Sequence, residues 1–287
     1  MSPIDPSLRI GSVDLAVSDL QRSADFYERV LGLPVIERDE HTVKLGADPA
    51  HPALMLSAVP SSVGIPPRSS GLYHVAWLHP SRAALADTVR RIVGARWRFD
   101  GASDHGVSEA LYLSDPDGLG IEIYVDRPRE QWQRPADGQG VEMVTLALDV
   151  DDLLAQGAAE TTATVAPGTG IGHVHLKVAD VPRANAFYRD ALGFEEQALL
   201  PSAAFVSAGG YHHHLGLNSW ESRGGQPTPE NAPGLRRVDF ELSDVGAVDA
   251  LERGLSDAGL AQESKREPDG SLSLSDPDAQ LLRFSAA

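Results

Sequence analysis

The chain is predicted to be an α+β protein of two tandem domains, each built from two βαβββ modules whose strands form curved mixed sheets. Three observations point there. Val17–Leu33 reads V-S-D-L-Q-R-S-A-D-F-Y-E-R-V-L-G-L and Val178–Phe194 reads V-A-D-V-P-R-A-N-A-F-Y-R-D-A-L-G-F, an offset of 161 residues. At the same offset, L-Y-L-S-D-P-D-G at Leu111–Gly118 recurs as L-S-L-S-D-P-D-A at Leu272–Ala279. Between the copies each half holds a second strand-then-helix unit, Gly71–Leu78 into Ser81–Ile92 and Gly234–Leu242 into Val245–Leu255.

In the first repeat a strand runs into an Asp at the N-cap position, Asp19 or Asp180. Leu20, Ala24, Tyr27 and Leu31 then recur at helical spacing, and Gly32 supplies the stop. Asp-Pro-Asp-Gly fixes a turn between apolar strands, so it reads as the hairpin that closes a domain. The expected boundaries are a first domain over 8–126, a connector over 127–169 and a second domain over 170–287. The connector is rich in Gly, Ala, Pro and Thr, with Val141–Leu148 as a candidate extra strand.

Composition narrows the function. Among 287 residues, 41 are acidic and 24 basic, a net charge of −17 with no Lys/Arg-rich stretch, which argues against nucleic acid and anionic membranes as partners. There is no cysteine, so any metal must be held by nitrogen and oxygen. The first thirty residues lack a charged segment leading into an apolar core, and no stretch approaches about eighteen uninterrupted apolar residues. A soluble, cytoplasmic protein is expected.

The histidines are placed unevenly. His173 and His175 share one face of the strand G-H-V-H-L-K-V, whose other face is Val174, Leu176 and Val178; a solvated edge would explain them equally well. The equivalent strand in the first half reads G-S-V-D-L-A-V, with Ser12 and Asp14 in those places. His74 interrupts the strand-like L-Y-H-V-A-W-L. His105, Tyr112 and Glu122 follow, Glu122 between Ile121 and Ile123, where an unpaired carboxylate would be costly and a cation or an Arg is required.

The tandem V-x-D-L-x-R-S-x-x-F-Y-x-x-V-L-G-L opening resembles the vicinal oxygen chelate superfamily of glyoxalases, fosfomycin and bleomycin resistance proteins and type I extradiol dioxygenases, and so implies the vicinal oxygen chelate fold. The stretch His105–Glu122 resembles the extradiol motif of a His, an aliphatic-Tyr pair, Asp-Pro-x-Gly and a Glu, departing from it at Ser103, two residues before the His. With G-L-Y-H, S-E-A-L-Y-L-S-D-P-D-G and F-V-S-A-G-G-Y-H-H-H, both halves resemble the bacterial catechol 2,3-dioxygenase group.

That resemblance implies a non-haem Fe(2+) centre, with Mn(2+) as the alternative, O2 as co-substrate and a small aromatic diol as substrate. The family pattern takes one His from the first strand of one module, and a His and a Glu from the first and last strands of its partner. The second module supplies His74 and Glu122, and the third supplies His173. The fourth has Arg237 and Arg283 at those places, and the first has Ser12, so neither can ligate a cation. One metal site, His74, Glu122 and His173, is therefore expected between the two inner modules. This departs from the better-known members, in which the last two modules pair.

The same carry-over gives His105 and Tyr112 as hydrogen-bonding partners of diolate and oxygen. A histidine beside the metal ligands that does not itself bind the ion is expected in Y-H-H-H-L-G-L-N, with His214 preferred to His213 and a solvated His cluster as the rival explanation. The expected function is extradiol ring cleavage of a catechol-type or hydroquinone-type diphenol in aromatic hydrocarbon catabolism. The alternatives are a glyoxalase-like isomerase and a non-enzymatic drug-binding resistance protein. Self-association stays open.

Overall fold

Four times along the chain, a strand with alternating apolar residues leads into a capped helix and then three further strands. A computed structural model describes residues 2–59, 63–136, 138, 140–158 and 162–287. The first module is β1 (Arg9–Val17), α1 (Leu20–Phe26), β2 (Val35–Arg38), β3 (Thr42–Leu45) and β4 (Leu54–Ala58). The second is β5 (Gly71–Leu78), α2 (Arg82–Gly94), β6 (Gly101–Asp104), β7 (Ser108–Ser114) and β8 (Gly120–Asp126). A short α3 (Val150–Ala155) lies in the connector. The third module is β9 (Gly170–Lys177), α4 (Val181–Ala186), β10 (Glu195–Leu200), β11 (Ala203–Ser207) and β12 (Leu215–Asn218). The fourth is β13 (Gly234–Leu242), α5 (Val245–Asp257), β14 (Ser264–Arg266), β15 (Leu272–Ser275) and β16 (Leu281–Ala286). Among the described residues no helix is long and apolar enough to cross a membrane.

The caps form as the sequence predicts. Asp19 accepts a hydrogen bond from the Arg22 N–H at 3.0 Å, Asp180 from that of Arg183 at 2.8 Å, and Gly32, at φ 84°, ends the π-helical turn Tyr27–Leu31 that prolongs α1. No strand forms over Val141–Leu148. Only Leu146 bridges to Asp104 on the edge strand β6, because Val141 turns away to bury itself with Val107 and Trp132.

The strands make two eight-stranded sheets, and each takes one module from each half of the chain. The outer sheet runs β14-β15-β16-β13-β1-β4-β3-β2 and the inner β10-β11-β12-β9-β5-β8-β7-β6. The second and third modules thus share a sheet through the antiparallel β5–β9 pair.

Within each half, the helix of one module is latched to the Asp-Pro-Asp turn of the next. Tyr27 donates to Asp115 at 3.3 Å and Tyr188 to Asp276 at 2.9 Å. Burial pushes both carboxyls up to about 6, although each accepts two backbone N–H groups. A carboxyl whose folded-state pKa exceeds its unfolded value binds its proton more tightly when folded, so its stabilising contribution is complete at low pH and is lost as pH rises through 6. Asp276→Asn, which keeps the acceptor oxygen without the charge, is expected to unfold at higher denaturant than wild type at pH 7. That advantage should disappear near pH 4, a swing of up to about 3 kcal/mol readable by urea titration at the two pH values.

Candidate metal centre

Register places the three candidate ligands. Ala76 on β5 is paired with Glu122 on β8 at one side and with His173 on β9 at the other, and His74 lies two residues earlier on β5. Strand alternation puts all four on one face. Ala76 is the small member of that row, so the space above it is left to the longer side chains flanking it. His74, Glu122 and His173 are buried, and each offers one ligand atom within 4.8 Å of the others. Glu122 Oε2 lies 3.0 Å from His74 Nε2 and 3.2 Å from His173 Nε2. No Arg or Lys pairs with Glu122 among the described residues, so the ordinary salt bridge is not what the strand provides.

The donor set fits a divalent first-row ion. His74 Nε2, 3.0 Å from Glu122 Oε2, is buried and makes no hydrogen bond among the described residues. An imidazole lone pair directed at a point shared with a carboxylate is what ligation requires. Burial holds the His173 imidazole down at about 4, against the opposing pull of Glu122, so it is neutral, and its Nε2, which donates to Glu122 at 3.2 Å, would give up that hydrogen to ligate an ion.

Two flanks surround these residues. On one, Tyr112 on β7 is paired with Glu122, and its ring lies 5.7 Å from that of His74. Its hydroxyl donates to His105 Nε2 at 2.7 Å, while His105 Nδ1 donates to the Val144 carbonyl at 2.8 Å. His105 and Tyr112 are thus joined to each other, and the connector orients the pair. Burial raises the Tyr112 phenol well above its ordinary range.

On the other flank lies the histidine run, which precedes β12 rather than forming part of it, so strand alternation does not govern where the rings point. His213 packs its ring 4.1 Å from that of His173. His212 reaches His213 Nδ1 to Nδ1 at 2.8 Å and Asp126 through Nε2 at 2.9 Å. His214 instead accepts the Ala208 N–H at 3.1 Å and packs on Tyr211. Of the two expected candidates it is His213 that adjoins the triad. All three are buried, which a solvated cluster would not be.

Sequence reasoning passed over Tyr124, Asp126, Tyr211 and Trp132, and noted His175 beside His173 without giving it a role. Tyr124 and Asp126 were legible, because Glu122, Tyr124 and Asp126 alternate on β8 and share its inward face. Trp132, from the connector, packs 5.3 Å from His212, a contact no local pattern announces. His175 faces His74 across the β5–β9 pair, ring to ring at 5.0 Å.

The outer sheet repeats the register with different chemistry. Asp239 is paired with Ser12 on one side and Arg283 on the other, and Arg237 faces Asp14. Arg237 bridges Asp14 at 3.0 Å and Asp239 at 2.8 Å, Arg283 lies 3.6 Å from Asp239, and Ser12 donates to Asp239 at 2.7 Å.

A family model described as the glyoxalase/bleomycin resistance protein/dioxygenase superfamily matches residues 9–123 and 170–284. The chain belongs to this superfamily. Among its relatives, a Bacillus subtilis (strain 168) protein named catechol-2,3-dioxygenase is 42% identical over 280 residues, covering 96% of each chain. Biphenyl-2,3-diol 1,2-dioxygenase 3 of Rhodococcus globerulus is 28% identical over 121 residues, 41% of this chain and 63% of the relative. Glyoxalase I from Zea mays superposes at a TM-score of 0.59 with 17% identity, covering 97% of this chain and 92% of that one, which shows the shared superfamily fold.

Gly172 sits at a β-bulge next to His173, and a Cβ there would fall 1.8 Å from the Tyr124 hydroxyl oxygen. Gly172→Ala is expected to displace Tyr124 and lower the unfolding free energy by about 1–3 kcal/mol. Chemical denaturation measures the loss, and an unchanged midpoint would show that Tyr124 moves freely.

Proposed function

We propose that the chain is an extradiol dioxygenase that cleaves the ring of a small catechol-type or hydroquinone-type diphenol, with His74, Glu122 and His173 holding iron(II), or manganese(II), in a cytoplasmic protein. The observation that carries the proposal is the buried convergence of two imidazoles and one carboxylate, within a chain that aligns nearly end to end with a relative named for catechol cleavage. One chain supplies all three groups, so the proposal needs no second copy.

When bound, such an ion supplies Lewis-acid activation of the diol oxygens and a redox route to O2. The chain's own residues do the rest. His213, kept neutral by burial, is placed to take a phenolic proton and later return it. Tyr112, whose hydroxyl hydrogen is committed to His105, turns its oxygen lone pairs to any hydroxyl that enters beside His74. The aromatic wall of Tyr124, Tyr211 and Trp132 excludes water from the His213 side.

Protein reconstituted with iron under anaerobic conditions is expected to hold one ion per chain, to take up one O2 per diol and to form a yellow ring-opened product from a panel of diphenols. His173→Ala and Glu122→Ala should each weaken iron binding by more than about tenfold and abolish turnover. Iron and turnover retained in His173→Ala would overturn the ligand set. Isomerisation of a thiol adduct with nickel or zinc and no oxygen uptake would favour the glyoxalase-like alternative.

Exchange of the histidines separates their roles. His213→Asn is expected to lower kcat about a hundredfold with iron content unchanged, whereas His214→Asn changes kcat far less. Steady-state oxygen consumption reads both, and the reverse order would move the proton-transfer role to His214.

A further inference from the structure

Asp126 touches none of the three candidate ligands, yet hydrogen bonds from both sides of His173 end on it. His212 Nε2 lies 2.9 Å and the Tyr211 hydroxyl 3.2 Å from the same oxygen, Oδ1. A carboxylate can only accept, so His212 carries its hydrogen on Nε2 and Tyr211 points its hydroxyl hydrogen at Asp126. In a neutral His212 the other nitrogen, Nδ1, is then a lone pair, and the group facing it at 2.8 Å is His213 Nδ1. His213 must donate there. Its own remaining nitrogen, Nε2, is left without a hydrogen, on a ring packed 4.1 Å from His173. On the second branch Tyr211, having donated to Asp126, accepts from Tyr124 at 2.7 Å, and the Tyr124 ring lies 4.9 Å from His173.

We infer that Asp126 is a positioning residue that, through His212, fixes which nitrogen of His213 carries hydrogen, so that His213 presents an unprotonated Nε2 as a ready acceptor for a phenolic proton. The last clause rests on the dioxygenase reading; the hydrogen placement does not. Asp126 is partly exposed, at the end of β8, and its charge stays in contact with solvent while the two histidines it orders are buried. The arrangement sets a buried tautomer from the surface without placing a charge inside. Trp132, 5.3 Å from His212, and Phe205, 5.0 Å from His213, pack edge-to-face on the two rings and limit their rotation.

The direct test is the nitrogen-15 spectrum of histidine-labelled protein, metal-free and zinc-loaded, in which the two neutral tautomers resonate apart. Wild type is expected to show His212 with hydrogen on Nε2 and His213 with hydrogen on Nδ1 in both forms. Asp126→Leu removes the acceptor and should leave His213 as a mixture of tautomers. Tyr211→Phe keeps the Asp126–His212 bond and should leave the His213 pattern as in wild type. In the iron form, Asp126→Leu is expected to lower kcat about tenfold while KM for the diol and iron content stay put, whereas Asp126→Asn, whose amide oxygen still accepts from His212, should keep the wild-type spectrum and most of kcat. Hydrogen on His213 Nε2 in wild type, or an Asp126→Leu spectrum identical to wild type, would overturn the inference. Should Asp126→Leu fail to fold, the wild-type spectrum and that of Asp126→Ala, which also lacks the acceptor and should show the same mixture, decide it. Because the spectra need neither iron nor diol, the tautomer assignment can stand where ring cleavage fails, and the reverse.

Discussion

A carboxylate buried at the middle of a sheet is the constraint on which the inner half of this molecule depends. Glu122 is 3% exposed, flanked by two isoleucines on its own strand, and faces two buried imidazoles rather than a guanidinium or ammonium group. Such a charge calls for a cation beside it, and among the described residues the groups close enough to share one are the ring nitrogens of His74 on β5 and His173 on β9. The β5–β9 register is what brings those nitrogens into range. A slip of one residue would turn His173 to the opposite face of the sheet and strand Glu122.

The outer sheet carries the same register to a different solution. Its central row, Arg283, Asp239 and Ser12, occupies the strand positions of Glu122, Ala76 and His173. The carboxylates are now Asp14 and Asp239, and the cations are supplied covalently by Arg237 and Arg283. Where Ala76 leaves room above the inner sheet, Asp239 fills the equivalent space and is neutralised on the spot. Two equivalent scaffolds therefore give one candidate centre, because an interior charge can be balanced by a side chain or by an ion: the outer sheet uses arginines, and among the described residues no Arg or Lys pairs with Glu122 in the inner one.

Much of this was legible in the sequence because it rests on short-range patterns. The two repeats gave the four modules, Asp19, Asp180 and Gly32 gave the helix ends, and counting ligands against Ser12, Arg237 and Arg283 required the inner modules to meet, as β5 and β9 do. What escaped depends on chain segments outside regular strands. Within the histidine run His214 was preferred to His213, but residues 211–214 bend before β12 begins, so His213 rather than His214 packs on His173. Val141–Leu148 has the composition of a strand and forms none, since its apolar side chains are drawn to Val107 and Trp132 instead of to a β6 ladder. Asp126 looked like the end of a strand, and only the fold shows that His212 and Tyr211, more than eighty residues later, converge on it.

The connector links these points. It offers the Val144 carbonyl to His105, and through His105 it sets the Tyr112 hydroxyl on one side of the triad; it offers Trp132 to His212, and so bears on His213 at the other. The candidate ligands come from strands whose positions are fixed by the sheet, while the groups suited to handling protons are adjusted by a segment with little regular structure of its own. Strands hold geometry to a few tenths of an ångström but leave little freedom to vary what surrounds it, and a connector has that freedom. A fold repeated four times can thus keep one ligand frame and still differentiate its chemistry, because the orienting hydrogen bonds are made by the parts of the chain that do not repeat.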